Sequence, residues 1–225
     1  MTEAPTRRER LRTATLGEIR QVARQLVVTG GPAAISLRAI ARELGMSAPA
    51  LYRYFPNLEA LVMAVCSDVY DELHEAVTRA GDAADGAAPK LLAMAHAFRA
   101  WSVAHPAEFA LLFGSPVPGV VELEEGCESP EHPAARVGAA FLAPFAEVWR
   151  QLAPPPVPED PQLTKALAIH GDVLGPDGMY AFLGAWSRLY GLVALEVFGH
   201  LRWALTDVEP LFEAELEAFV RQLVS

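Results

Sequence analysis

Apolar residues recur along most of the chain at intervals of three and four, and almost nowhere at intervals of two. That is the period of helices with one buried face, so the sequence predicts an all-α protein. The first stripe, Leu16, Ile19, Val22, Ala23, Leu26 and Val27, is opened by Thr15 and Glu18 in capping-box register and closed by Gly30, Gly31 and Pro32. A second, shorter stripe runs through Leu37, Ile40, Ala41 and Leu44, with Ser36 as its N-cap and Gly45 placed for the left-handed C-terminal conformation. Ser47 then caps a third helix. Its Pro49 falls in the first turn, where no intrahelical N–H is lost, and Leu51 and Phe55 point to one side before Pro56 closes it. From Leu58 the residues Leu61, Val62, Val65, Val69 and Leu73 carry a long helix to about Thr78, which is expected to join two domains.

The remaining pattern predicts helices from Leu91 to Ala104, from the His105-Pro106 break to Phe113, from Ala134 to Leu152, from Gln162 to His170, from Met179 to Leu205 and from Glu209 to Val224. Between them lie a proline-bearing acidic segment (114–133), the stiff connector APPPVPEDP (153–161) and a Gly/Pro-containing loop ahead of Met179. No internal repeat is present. The expected architecture has about nine to ten helices: a three-helix head over residues 1–58 and a larger helical bundle over 59–225.

Composition narrows the class. The chain has 225 residues, 52% of them hydrophobic and 20% charged, which is enough apolar content for a packed core and too much for a disordered chain. Its longest apolar helix candidate is interrupted by Arg188, Glu196 and Arg202, short of the roughly 18 uninterrupted apolar residues of a membrane span. The N-terminal arginines are not followed by a secretory apolar run, so no membrane partner and a cytoplasmic location are expected. Cys66 and Cys127 form neither a disulfide framework nor a metal-ligand spacing. His96, His105, His170 and His200 also lack metal-site spacing, so neither metal nor cofactor is expected.

The net charge of −10 is unevenly spread. Residues 1–60 hold nine Lys+Arg against five Asp+Glu, while residues 61–225 hold nine against twenty-three. A basic N-terminal segment on an acidic body points to an anionic partner that touches one end only. The two short helices joined at Gly45-Met46-Ser47 supply the matching geometry, because this is the spacing of a helix-turn-helix, whose second helix enters the major groove of DNA. With Leu51 and Phe55 inward, Ala48, Pro49, Ala50, Tyr52 and Arg53 lie on or near the outer surface and Tyr54 on the flank; Ser47 opens the same turn. Arg38, in the first turn of the preceding helix, points outward and reaches toward a phosphate or a guanine edge. For Arg7, Arg8, Arg10 and Arg12 two readings stand level: a disordered solubilising tail, or an arm along the DNA backbone or minor groove.

The stretch GGPAAISLRAIARELGMSAPALYRYFPNLEAL resembles the DNA-binding region of the TetR family of transcriptional regulators. Its Ile40-Ala41, Gly45-Met46-Ser47, Leu51-Tyr52 and Phe55 fall in that family's register, and the motif covers residues 15 to 65. The resemblance implies a homodimer with one three-helix head per subunit, and a C-terminal helical domain that binds a small effector and thereby lowers affinity for a double-stranded DNA operator. It further implies that Tyr52 and Tyr54 bond phosphates, that Ala48, Pro49 and Ala50 face bases, and that Arg53 lies near the backbone. One departure is Leu58, where the family commonly has a phosphate-contacting lysine. HAFRAWSVAHPAEFALLFG and AWSRLYGLVALEVFG are similar to a subgroup of these regulators with Trp, His and Gly on the penultimate helix; Trp186 and Gly191 match, and Tyr190 stands in the His position.

Trp101, His105, Phe109, Phe113, Trp149, Trp186 and Tyr190 are each explained by core packing, yet together they are the candidate lining of an effector pocket, with His105 or Tyr190 as its polar group. In the last two helices Leu192, Leu195, Phe198, Leu216 and Phe219 are the candidate dimer interface, arranged as a four-helix bundle with the symmetry mate. There is no Gly-rich phosphate loop, nucleophile elbow or acid/base constellation to support an enzyme. The remaining alternative is a helical small-molecule-binding or interaction protein whose head no longer grips DNA.

Overall fold

A computed structural model describes residues 6–114, 133–151, 160–167 and 171–224. The fold is all-α. Among the described residues ten helices follow in order: α1 (Arg7–Gly30), α2 (Leu37–Glu43), α3 (Ala48–Tyr52), α4 (Leu58–Asp82), α5 (Ala87–Ala104), α6 (Pro106–Phe113), α7 (Pro133–Trp149), α8 (Pro161–Leu167), α9 (Gly171–Val197) and α10 (Glu209–Val224). A single 3-10 turn, Pro32–Ala34, links α1 to α2. The acidic segment with Cys127, the proline connector and His170 lie outside the described residues.

The first helix starts earlier than its apolar stripe. Thr6, not Thr15, is the N-cap: its hydroxyl accepts from the Glu9 backbone N–H at 3.3 Å while the Glu9 carboxylate accepts from the Thr6 N–H at 2.7 Å. The chain carries the Thr-x-x-Glu signature twice, and the upstream copy closes the box. Thr15 instead sits inside the helix and donates its hydroxyl to the Leu11 carbonyl at 3.0 Å. Arg7, Arg8, Arg10 and Arg12 are therefore the exposed opening turns of α1, which corrects the reading of a disordered tail.

The other large difference is at α9. The expected Gly/Pro loop before Met179 is compressed into a kink: Gly175 takes φ +66°, and Pro176 restarts the helix in a first turn that needs no proline N–H. At its far end α9 stops at Val197, short of the expected Leu205, as Gly199 adopts φ +71°. Gly178 packs so closely on α7 that a Cβ there would lie 2.9 Å from the Trp149 Nε1.

Two compact units result. The first comprises residues 1–71 and 105–128, the second residues 72–104 and 129–225. The division falls within α4, and it places α6 with the N-terminal helices, whereas the sequence suggested a boundary at 58. In the first unit Ile19, Ala23 and Val27 of α1 are fully buried with Ile40, Leu51, Leu61, Val62 and Phe109. Two ion pairs tie its helices together: Arg20 to Asp68 of α4 at 2.7 Å, and Arg24 to the buried Glu108 of α6 at 3.2 Å. In the second unit α5, α7 and α9 pack against one another around Phe98, Met94, Phe141 and Val193. Arg99 of α5 makes a bidentate pair with Glu196 of α9, at 2.8 and 2.7 Å, while its guanidinium lies 5.1 Å from the Phe212 ring of α10.

Candidate nucleic-acid interface and effector cavity

In the first unit the turn between α2 and α3 is built by backbone chemistry. The Ser36 hydroxyl accepts from the Ala39 N–H at 3.2 Å and starts α2. At the other end Gly45, at φ +62°, donates to the Arg42 carbonyl at 3.2 Å, and the Met46 N–H reaches the Ala41 carbonyl at 2.8 Å. This pair of bonds is a Schellman motif, and it needs the left-handed residue that only glycine adopts without steric penalty. The chain then re-enters a helix within two residues. Although regular α3 ends at Tyr52, bonds from the Tyr54 and Phe55 N–H groups to the Leu51 carbonyl carry the helical path to Phe55.

Leu51 and Phe55 are buried and fasten α3 to the core, which turns the opposite side of the helix to solvent. Ser47, Ala48, Pro49 and Arg53 are exposed, Ala50 and Tyr54 are half-buried, and Tyr52 is 53% exposed. Arg38 of α2 is exposed as well. The Ser47 hydroxyl makes no cap bond, in contrast to that of Ser36, and so remains available to an external acceptor. The face as a whole offers hydroxyl and guanidinium donors around a centre of small apolar groups. Such a surface can bond phosphate oxygens at its edges and pack methyl groups against base edges. Asn57 caps α4 through its Oδ1, which accepts from the Ala60 N–H at 2.8 Å, and Leu58 is half-buried in the first turn of that helix.

The second unit contains a cavity of about 140 Å³. Leu91 and Leu92 of α5, Phe141 and Phe145 of α7, and Phe182 and Trp186 of α9 form much of its wall. Phe212, Leu216 and Phe219 of α10 complete it, so four helices line the space. Its charged groups are Arg188 and Glu215, 3.8 Å apart, and the Arg188 guanidinium lies 6.0 Å from the Phe219 ring. Trp186 packs between Phe98 and Phe141, with ring centroids 5.7 and 5.5 Å away.

Of the seven aromatic and histidine residues singled out in sequence, Trp186 is the one on this wall. Trp149 lines an adjoining hollow with Tyr180 and Phe219, Trp101 is buried in α5, and Tyr190 is half-buried, its phenol pKa raised by desolvation. His105, Phe109 and Phe113 belong to the first unit, where Phe113 meets the Tyr70 ring edge-on at 5.8 Å. The seven therefore do not form one lining. Sequence reading missed Phe141, Phe145, Phe182, Arg188 and Glu215; helical spacing of the two phenylalanines on α7 was visible, but nothing distinguished a pocket wall from plain core. The proposed interface residues divide likewise. Leu192, Leu216 and Phe219 line the cavity, whereas Leu195 and Phe198 are 41% and 38% exposed.

Known proteins with the same organisation bear on these two sites. Residues 19–65 match the family of bacterial regulatory proteins called tetR, and residues 91–219 match the tetracyclin repressor-like C-terminal domain. The HTH-type transcriptional regulators Mb1846 of Mycobacterium bovis and Rv1816 of Mycobacterium tuberculosis are each 33% identical to this chain over 218 residues, covering 92% of it and 91% of each relative. The crystal structure of the regulatory protein SCO4313 superposes with a TM-score of 0.72 at 31% identity, covering 95% of this chain and 98% of that one. Among the described residues no helix is long and apolar enough to cross a membrane. With both parts of the chain matched and the relatives aligned nearly end to end, this protein belongs to the TetR family of transcriptional regulators, which are not enzymes.

Proposed function

We propose that the chain is a repressor that binds a near-palindromic operator as a homodimer and leaves it when a small apolar effector fills the cavity of the second unit. The observation that carries the DNA-binding half is α3 itself, pinned inward by Leu51 and Phe55 and presenting Ser47 to Ala50, Tyr52 and Arg53 outward. Two such helices must be about 34–36 Å apart to enter successive major grooves on one side of a duplex. Dimerisation is supported by the exposed apolar side of α9, where Leu183 and Leu195 stand beside Gly184 and Gly191, around which there is open space, and by Phe198 just beyond the helix end. Leu195 and Phe198 are the interface residues of this reading.

The effector half rests on the cavity. At about 140 Å³ it is close to the roughly 150 Å³ of an engineered apolar cavity that stays dry and binds benzene, so a compact, mostly apolar molecule is the fitting class. An effector acts only through its differential affinity for the DNA-competent and DNA-free states. The helix shared by both units, α4, is one covalent route for that coupling.

The test is selection of short random duplexes by the full-length chain, followed by a salt series on the selected and a scrambled duplex. Affinity that falls with salt while the selected duplex stays preferred supports the reading. Sequence-blind or salt-insensitive binding instead favours an effector-binding protein with an inactive head.

A further inference from the structure

The cavity of the second unit has a neighbouring hollow on each side, and the two differ in charge. On the α8–α9 side lies a hollow of about 500 Å³, and Ala185, Arg188 and Phe219 line both it and the cavity. On the α5–α10 side lies a hollow of about 320 Å³, which shares Leu92, Leu216 and Val220 with the cavity. This smaller hollow carries the carboxylates Glu213 and Glu217, each engaged within the protein: Glu213 lies 3.4 Å from His96, and Glu217 lies 3.3 Å from Arg221. The larger hollow has no carboxylate among the described residues. Arg188 is its charged group, and Ser187, Tyr180 and Trp149, which line it too, each bring an O–H or N–H. Glu215, the acidic neighbour of Arg188, lines the cavity but not this hollow.

Size and polarity decide what fits across that rim. About 140 Å³ accommodates one ring or a short alkyl chain, and apart from Arg188 and Glu215 the residues of the wall are apolar. A charged group drawn fully inside would lose its hydration without enough partners, so a charged head stays at the rim. There the contact between Arg188 and Glu215, at 3.8 Å, is longer than a charge-assisted hydrogen bond, and the two side chains are 42% and 43% exposed, which makes the pair a weak one. A carboxylate arriving from the hollow side can take two parallel N–H bonds from the guanidinium fork, a shorter and stronger contact than the one Glu215 makes.

We propose that the cavity and the larger hollow are two parts of one site for an amphipathic organic acid, with an aryl or short alkyl body in the cavity and a carboxylate held at the rim by Arg188. The proposal rests on the effector reading of the cavity and gives that effector its chemical class.

The test is calorimetric titration of the full-length chain at neutral pH with three probes that share one body and differ in the head: phenylpropanoate, phenylpropanol and phenylpropylammonium. The carboxylate binds roughly tenfold tighter than the alcohol, and the ammonium binds most weakly. Arg188→Met keeps the apolar stem against Phe219, lowers the carboxylate to the affinity of the alcohol and leaves the alcohol unchanged. Glu215→Gln removes a competing acceptor charge and tightens the carboxylate. Ala185→Leu, which fills the space where the two parts meet, weakens carboxylate and alcohol alike, and unchanged binding in that variant overturns the proposal. An alcohol as tight as the carboxylate in wild type, or a preference that survives Arg188→Met, overturns it while leaving the cavity as an effector site. Preference for the ammonium overturns it as well and makes Glu215 the recognising group. If no probe binds the wild type, the effector reading of the cavity fails and takes this one with it.

Discussion

Removing Glu196 tests how the second unit holds α9 against α5 and α10. In the native chain its carboxylate takes two short hydrogen bonds from Arg99, and the two side chains are only 13% and 15% exposed. Glu196→Leu leaves a guanidinium in that site without its acceptor, and breaking a buried pair from one side costs about 3–5 kcal/mol. Two contacts soften the loss: Glu209 lies 3.9 Å from Arg99, and the Phe212 ring still faces the guanidinium. Glu209 is largely exposed and replaces little of a bidentate bond, so the expected cost is near the lower bound, about 3 kcal/mol. For a chain of this size that corresponds to a fall in Tm of about 6–12 °C. The double variant Arg99→Met, Glu196→Leu removes both charges and recovers most of the loss, since apolar groups of similar volume replace buried pairs at little cost. The assay is thermal unfolding of wild type, both single variants and the double variant, followed by circular dichroism at low and high salt. A Glu196→Leu variant within about 2 °C of wild type refutes a dominant role for this pair, as does strict additivity in the cycle.

Further outcomes follow from other sites. Tyr52→Phe and Arg38→Ala should each weaken binding to the selected duplex by about 1–3 kcal/mol with little change in Tm, and unchanged affinity in both variants would count against the docking of α3. Leu195→Arg should convert the dimer to monomers in sedimentation; a dimer that survives would place the interface elsewhere. Ala185→Leu, which adds volume at the cavity wall, should abolish the DNA release caused by a compact aromatic effector while leaving duplex affinity unaltered; equal release in both proteins argues for another effector site. Burial pushes the Cys66 thiol up to about 12 from its ordinary 9.0. The neutral thiol thus contributes stability fully below pH 9 that is lost as pH rises toward 12, so Cys66→Ala should show a shallower alkaline decline in denaturant midpoint, and parallel declines would contradict this.

The helix-turn-helix was legible because its parts are local. A serine cap, a glycine that alone tolerates the turn's φ, a proline in a first turn and two apolar anchors four residues apart act within twenty residues of one another. Apolar periodicity, however, reports which face of a helix is buried and not how far the helix runs. The opening turns of α1 are wholly exposed, which is why their extent had no signature except a second Thr-x-x-Glu. The cavity was illegible for the opposite reason: Phe141, Phe145 and Phe182 occupy the same periodic positions whether they face another side chain or an empty space. Pairing of Arg24 with Glu108 spans 84 residues, and no local pattern announces it.

That pairing has a practical consequence for anyone exchanging modules between such regulators. A chimera joined at Asn57, or even at the middle of α4, would import Arg24 and the apolar stripe of α1 without Glu108, Phe109 and Leu111, the α6 residues that are buried with them. The graft would inherit another protein's α6 as a mismatched lid, and its poor operator binding would be blamed on the donor's reading head. Transplanting residues 105–113 along with the N-terminal piece keeps the borrowed part whole.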